Sequence, residues 1–340
     1  MKLLKKSVTT FLVGLFLVGV FSNAQAQDRR SVIKLYNQGI EQKQAGEFDQ
    51  AISTFNRVIT TAQKSEENND IVGRSEQQLA DTYFKRGVSR YKQLQKNQSL
   101  EDFDATISAF EEAKEIAEKY NSSKIASKVS QIIPQLYYNK GVLAYKRTNL
   151  EQSLEALNEA VNLNSNYANA YYQRGLVKKK MDGVSEDSLI SAFETSLQIG
   201  EKTNNNSVVR ESKSQLGGIY LTRGHRLVSE QKAFERGIEA YDKALEYTPE
   251  SAQLYFRLAE AHNELQNWEQ ASEYAQQGLE YETGGRTDQA KYYFELGIAY
   301  KGMGQKEQAC SAFGNAAYGN FKSSAEHEME YQLECERATN

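Results

Sequence analysis

Hydrophobic side chains recur along most of this chain at intervals of three and four residues, which is the spacing of one helix face. Within this pattern a five-residue block returns seven times, with a large apolar residue at its start and a small residue at its end. The blocks begin at Leu35, Tyr83, Tyr137, Tyr171, Tyr220, Tyr255 and Tyr293, and they end at Gly39, Gly87, Gly141, Gly175, Gly224, Ala259 and Gly297. Residues four apart lie one above the other on a helix. Such regular recurrence is typical of a repeat architecture.

A second pattern follows each block and predicts a second helix. Its members lie at i, i+4 and i+7, as in Ala51, Phe55 and Val58. In copies one, three, six and seven the pattern begins twelve residues after the small residue, which leaves room for a tight turn. The small residue of the first helix allows close approach, and a bulky side chain fills the space beside it. The chain is therefore predicted to be all-α, built from helix–turn–helix hairpins.

Three insertions separate some of the copies, at residues 61–79, 116–133 and 200–216. Each begins polar and then becomes helical in pattern, so we expect first helices lengthened by two or three turns at their N-terminal ends. These extensions are expected to project beyond the repeats. Connectors are the favoured interpretation, and a second contact surface is the alternative. Pro134 and Pro249, the only prolines, are predicted to mark junctions between hairpins.

Together the two patterns resemble the tetratricopeptide repeat family, whose period is about 34 residues. Copies three and four begin 34 residues apart, and copies five and six 35 residues apart. The resemblance covers most of residues 32–321 and implies a right-handed α-solenoid of about seven hairpins within residues 27–322. A C-terminal capping helix and tail is expected over residues 323–340, because a solenoid needs a polar end. The expected hairpins span approximately 32–65, 80–120, 134–167, 168–203, 216–251, 252–285 and 290–322.

Residues 1–26 have the pattern of a signal peptide. Lys2, Lys5 and Lys6 precede an apolar run, and Ala24 to Ala26 form a small-residue cleavage site. The run is shorter than the ~20 residues that span a bilayer. The protein is therefore expected to be exported in a bacterium, and the periplasm is favoured over full secretion.

Removing residues 1–26 removes three lysines and no acid, so the net charge of −4 becomes −7. Nucleic acids require concentrated positive charge, which this acidic chain lacks, so a nucleic-acid partner is not expected. The exported chain contains no further long apolar run, and we expect no membrane span in it.

The family resemblance implies a concave groove that binds extended peptides or partner helices. The residue after the leading position of each block would line this groove. The groove residues predicted in this way are Tyr36, Phe84, Tyr138, Tyr172, Phe256 and Phe294, with Leu221 at the same position of the fifth copy. A protein or peptide partner in the cell envelope is the predicted ligand. Alternatives are that the rings only pack as core, that the groove receives a small molecule or glycan, and that the protein self-associates.

Two further sets of residues carry chemistry. Cys310 and Cys335 are predicted to form a disulfide that fastens the cap, worth on the order of 3 kcal/mol for a loop of this length; two buried free thiols are the alternative. Long cations precede the small residue in four successive blocks, as a basic ladder or as cover for the hairpin surface. These cations are Arg86, Lys140, Arg174 and Arg223.

The sequence contains no phosphate-binding loop, nucleophile elbow or zinc-ligand spacing. Its three histidines, His225, His262 and His327, are isolated. We therefore expect neither a catalytic site nor a metal or other cofactor, and we expect a scaffold rather than an enzyme.

Overall fold

The computed structural model describes residues 27–335, and within this range the chain forms helices and turns without a strand. The expected signal peptide at residues 1–26 lies outside the described residues. The described part of the chain divides into two compact units, residues 27–170 and 171–335. Within residues 27–335 no helix combines the length and the apolar character that crossing a membrane requires.

The first unit contains three helix pairs. Each pair joins a first helix, which carries the repeated block, to a second helix that packs against it. The helices are α1 (27–45) with α2 (Phe48–Ala62), α3 (Asn69–Leu94) with α4 (Leu100–Lys119), and α5 (Ser123–Lys146) with α6 (Leu150–Leu163).

The second unit repeats this arrangement, and the first three residues of α7 precede its beginning at Tyr171. Its helices are α7 (Ala168–Lys180), α8 (Glu186–Lys202), α9 (Asn206–Ser229), α10 (Phe234–Tyr247), α11 (Ala252–Glu264), α12 (Trp268–Tyr281), α13 (Arg286–Gly302) and α14 (Lys306–Ala316). A short helix α15 (Lys322–His327) and one turn of π-helix follow. The all-α hairpin architecture predicted from the sequence is confirmed.

The small residue at the end of each block allows the two helices of a hairpin to approach each other closely. A Cβ atom added to Gly297 would lie 2.6 Å from Phe313, which is fully buried on the second helix. The same relation holds for five other pairs: Gly39 with Phe55, Gly87 with Phe110, Gly141 with Leu157, Gly175 with Phe193, and Gly224 with Tyr241. In the sixth copy alanine replaces glycine, and Ala259 packs with Ala275 instead of a ring. In six hairpins a glycine on the first helix thus faces a large residue on the second helix, and in the sixth hairpin two alanines face each other.

The lengthened first helices are confirmed: α3 has 26 residues and α5 and α9 have 24 each, against 13 in α7 and α11. Their N-terminal turns do not project beyond the repeats, however, and that expectation is wrong. Ile71, Val129 and Val208 in these turns are buried. Each extension packs along the second helix of the preceding hairpin, because both contacting faces are apolar.

Asparagine closes two of the turns that lead into these long helices. Asn121 and Asn204 both adopt the left-handed conformation with φ of 55°. This conformation carries a steric cost for most residues, and asparagine tolerates it better than they do. The next amide then donates across the turn, from Ser122 to the Ala117 carbonyl and from Asn205 to the Gly200 carbonyl.

Pro134 corrects one expectation. It lies inside α5 and is buried there, instead of marking a junction between hairpins. The junction lies eleven residues earlier, where the extension of α5 begins at Ser123. Pro249 does fall between α10 and α11, as predicted.

The C-terminal segment is helical only as far as Gln332, which is shorter than the predicted capping helix. Residues 336–340 lie outside the described part. Met329 and Leu333 pack on the cluster around Phe313, as expected for a cap. The structure places Cys310 and Cys335 at disulfide distance, with Cα atoms 5.8 Å apart across 25 residues.

Reducing this pair should loosen the cap and lower the free energy of unfolding by about 2–3 kcal/mol, since the bridge restricts the unfolded chain. Denaturant unfolding with and without dithiothreitol measures this effect. A Cys310→Ser, Cys335→Ser variant is the control, and its stability should not respond to the reductant. Mass spectrometry that finds two free thiols in the purified protein would contradict the predicted bridge.

Candidate functional site

The six rings predicted to line a groove each pack against an aromatic residue of the same or the next helix pair. The contacts join Tyr36 to Phe55, Phe84 to Phe110, Tyr138 to Tyr167, Tyr172 to Phe193, Phe256 to Tyr292, and Phe294 to Phe313 and Phe321, with ring centroids 5.0–6.0 Å apart. Phe256 is buried, while the other five are partly exposed. These rings therefore contribute to hairpin packing and, except for Phe256, also to the surface.

The fifth copy carries Leu221 where the other copies carry a ring, and an open cleft of about 430 Å³ lies beside it. Its wall is mostly apolar. The residues that line it are Gly217, Gly218, Leu221, Thr248, Pro249, Glu250, Ser251 and Leu254. The cleft lies between α9 and the start of α11, entirely within the second unit.

Two adjacent glycines form one side of this cleft. A Cβ atom on Gly217 would lie 2.8 Å from Thr248, so packing accounts for this glycine. Gly218 has no neighbour within 4 Å of an added Cβ atom and is exposed. A glycine inside a helix costs roughly 0.8–1 kcal/mol relative to alanine. Packing therefore does not explain Gly218, which lines the open cleft. The two sequence patterns did not predict this site, although the Gly217–Gly218 pair stands within a helical pattern.

A smaller cleft of about 240 Å³ lies in the first unit between α3, α4 and α5. Tyr91, Leu94, Phe103 and Val142 supply apolar wall, and Gln95, Gln98, Asn139 and Lys146 supply polar groups. Val142 follows the ring position of its block by four residues, so this cleft also adjoins a predicted groove position.

Three family models match segments of the chain. One described as TPR repeat matches residues 141–182, and two described as tetratricopeptide repeat match residues 229–292 and 290–318. The chain therefore contains tetratricopeptide repeats within residues 141–182 and 229–318. No protein among curated sequences matches the chain.

Several solved structures are similar to this repeat protein at low identity. YrrB, described as a TPR protein with an unusual peptide-binding site, is 20% identical, with 57% of this chain and 91% of that chain covered and a TM-score of 0.33. MamA from Desulfovibrio magneticus is 17% identical, with 58% and 96% covered and a TM-score of 0.34. The TPR2AB domain of yeast Sti1, in a complex with pHSP90, is 14% identical, with 89% and 97% covered and a TM-score of 0.32.

The four cations that precede the small residues of the repeats differ in their partners. Arg86 pairs with Asp49 at 3.0 Å and with Glu112, and Lys140 pairs with Asp104. Arg223 pairs with Asp187 at 2.8 Å and with Glu186. Carboxylates thus neutralise three of the four, and these cations do not form a continuous basic ladder. Arg174 instead stacks on the ring of Tyr171 at 5.4 Å.

One carboxyl group is buried between two first helices of the repeat protein. Glu295 on α13 is only 6% exposed, and the Asn263 side chain on α11 donates to its Oε2 atom at 2.8 Å. Burial raises the pKa of Glu295 to about 7, and the nearby carboxylates of Glu260 and Glu264 act in the same direction. Asn263 opposes this shift by donating to the ionised form. Glu295 is the third residue of its block, and nothing in the local sequence indicates that this side chain is buried.

Among residues 27–335 no three or more His, Cys, Asp or Glu side chains converge where they could hold a metal ion.

Proposed function

We propose that this tetratricopeptide repeat protein is a non-enzymatic scaffold that binds an apolar segment of a partner protein, with the cleft between α9 and α11 as its principal contact. The observation that carries this proposal is Gly218. This residue weakens its helix, has no packing role in the structure, and leaves open an apolar surface beside Leu221 and Leu254.

An extended polypeptide fits the shape of this site better than a small molecule does. Small-molecule pockets usually enclose most of the surface of their ligand. This cleft is instead open to solvent, and Pro249 and Glu250 in its lining are exposed. Burial of an apolar side chain against Leu221 and Leu254 would supply binding energy. The exposed main-chain surface at Gly218 would allow the partner backbone to approach the helix closely.

We further propose that the scaffold works in the bacterial envelope, with the periplasm favoured. Two observations support this location. Residues 1–26 have the charge, apolar run and small-residue site of a signal peptide. Cys310 and Cys335 lie at disulfide distance, and disulfides persist in oxidising compartments such as the periplasm.

Filling the cleft should weaken binding without unfolding the protein. A phage library of random 12-residue peptides, selected on the purified protein, should yield peptides that share an apolar side chain. Gly218→Leu should weaken their binding by at least about tenfold, which corresponds to about 1.4 kcal/mol. Gly73→Leu is the matched control, because Gly73 is also helical, exposed and without neighbours within 4 Å. Calorimetry with a selected peptide measures both variants.

Stability separates a binding effect from a folding effect. Gly218→Ala and Gly73→Ala should each raise the free energy of unfolding by about 1 kcal/mol, since both remove a helical glycine. Equal peptide binding by the wild type and Gly218→Leu would contradict the cleft as the binding site. A selection that yields no peptide above background would contradict peptide binding itself.

A further inference from the structure

Two hairpins of this protein contain pockets at equivalent positions, and one position holds a carboxylate in only one of the two pockets. In the second hairpin a pocket of about 170 Å³ is lined by Arg86, Arg90, Ala105, Ser108, Ala109 and Glu112. In the fourth hairpin a pocket of about 90 Å³ is lined by Tyr171, Arg174, Lys178, Ser191, Ala192 and Thr195.

The repeat register makes these residues equivalent. Gly87 faces Phe110 in the second hairpin, and Gly175 faces Phe193 in the fourth. Counting from these pairs, Arg174 corresponds to Arg86 and Lys178 to Arg90. Ser191 corresponds to Ser108. The remaining position holds Glu112 in one pocket and Thr195 in the other.

In the second hairpin the protein supplies its own anion. The Glu112 carboxylate pairs with the guanidinium of Arg86, which also binds Asp49. In the fourth hairpin no carboxylate of residues 27–335 forms an ion pair with Arg174 or Lys178. The hydroxyl of Thr195 does not replace it, because it donates to the Ser191 carbonyl at 2.8 Å.

The unpaired guanidinium is also partly removed from water. Arg174 is half-buried and stacks on Tyr171, and burial lowers its pKa. A half-buried cation without a counter-charge carries a desolvation cost that a bound anion would relieve. Arg174 and Lys178 are four residues apart on α7, so both side chains reach the same surface.

We propose that the pocket at Arg174, Lys178 and Ser191 binds a carboxylate from an acidic side chain of a partner polypeptide. Glu112 shows that a carboxylate satisfies this position in the sister pocket, and the small volume at Arg174 suits one such group. This pocket also lies apart from the groove predicted from the sequence. Successive helical residues are rotated by about 100°, so Arg174 and the groove position Tyr172 point to opposite sides of α7.

The test uses two rhodamine-labelled peptides of repeated Gly-Ser-Glu and Gly-Ser-Gln, with binding measured by fluorescence anisotropy at low ionic strength. The protein should bind the Glu peptide at least about tenfold more tightly than the Gln peptide. Thr195→Glu should reduce binding of the Glu peptide at least about tenfold, because it supplies the internal carboxylate that Glu112 supplies in the sister pocket. Arg174→Gln should give a similar loss.

Two controls exclude a general charge effect. Thr195→Gln has a side chain of the size of glutamate but without its charge, and it should bind the Glu peptide within about twofold of the wild type. Gln198→Glu adds one negative charge at an exposed position of α8 and should also bind the Glu peptide within about twofold of the wild type. Equal binding of the two peptides, or no binding of either, would overturn the proposal. So would unchanged binding by Thr195→Glu, or saturable binding of inorganic phosphate alone. Loss of peptide binding in Gly218→Leu bears only on the proposed cleft between α9 and α11, so the two proposals fail independently.

Discussion

Replacing Phe313 by alanine should lower the free energy of unfolding by about 3–5 kcal/mol, because this ring is fully buried and its removal leaves a cavity. Gly297→Ala should also destabilise, by about 1–3 kcal/mol, because the new methyl group would lie 2.6 Å from the Phe313 ring. The two losses have a common cause, namely the fit of one ring onto one glycine.

The double variant Gly297→Ala, Phe313→Ala should therefore cost less than the sum of the single variants, by about 1 kcal/mol or more. The sixth hairpin provides a natural example of this alternative, since Ala259 packs there with Ala275. Trp268, the only tryptophan, lies in the same unit beside Gly302, so its fluorescence follows unfolding of this region in denaturant. Additive losses would show that the two positions are not coupled, and this would contradict the proposed fit of the Phe313 ring onto Gly297.

Stability should fall as the pH rises from about 4.5 to about 7, and Glu295 is the reason. Burial raises the pKa of this carboxyl group to about 7 in the folded protein, against 4.5 for an ordinary glutamate. In this window the folded state binds more protons than the unfolded state, so raising the pH disfavours folding. The contribution of Glu295 is complete below pH 4.5 and is lost as the pH rises through 7.

Glu295→Gln should remove this dependence, since the amide keeps an oxygen that can accept from Asn263 and does not ionise. The variant should match the wild type near pH 4.5 and exceed its free energy of unfolding by about 3 kcal/mol at pH 8. Urea unfolding at several pH values measures both proteins. Glu239→Gln, at an exposed position of α10, is the control and should remain parallel to the wild type. Parallel curves for Glu295→Gln would contradict the assignment.

The hairpins could be predicted from the sequence because their determinants are local. A glycine and a bulky residue recur at fixed separations, so Gly87 and Phe110 identify one contact and the other copies confirm its register. The long helix α5 was predicted for the same reason, from the apolar spacing of Ile125, Val129 and Ile132.

The errors arose where a tertiary contact overrides the local pattern. The lengthened first helices were expected to project beyond the repeats, yet Val129 and Val208 pack on a neighbouring helix. Pro134 resembles a helix end, but a long helix accommodates it. The burial of Glu295 and the missing partner of Arg174 depend on neighbours far apart in sequence, so no local signal shows them.

The central claim is that a partner segment occupies the cleft at Gly218, and photo-crosslinking in intact bacteria tests it most directly. The crosslinker benzoylphenylalanine replaces Leu221 in the cleft or, as a control, the exposed Glu239 on α10. The account predicts one envelope protein joined through an apolar segment at position 221, absent at position 239 and lost when Gly218→Leu fills the cleft. The same adduct from both positions, or an adduct that survives Gly218→Leu, would contradict it.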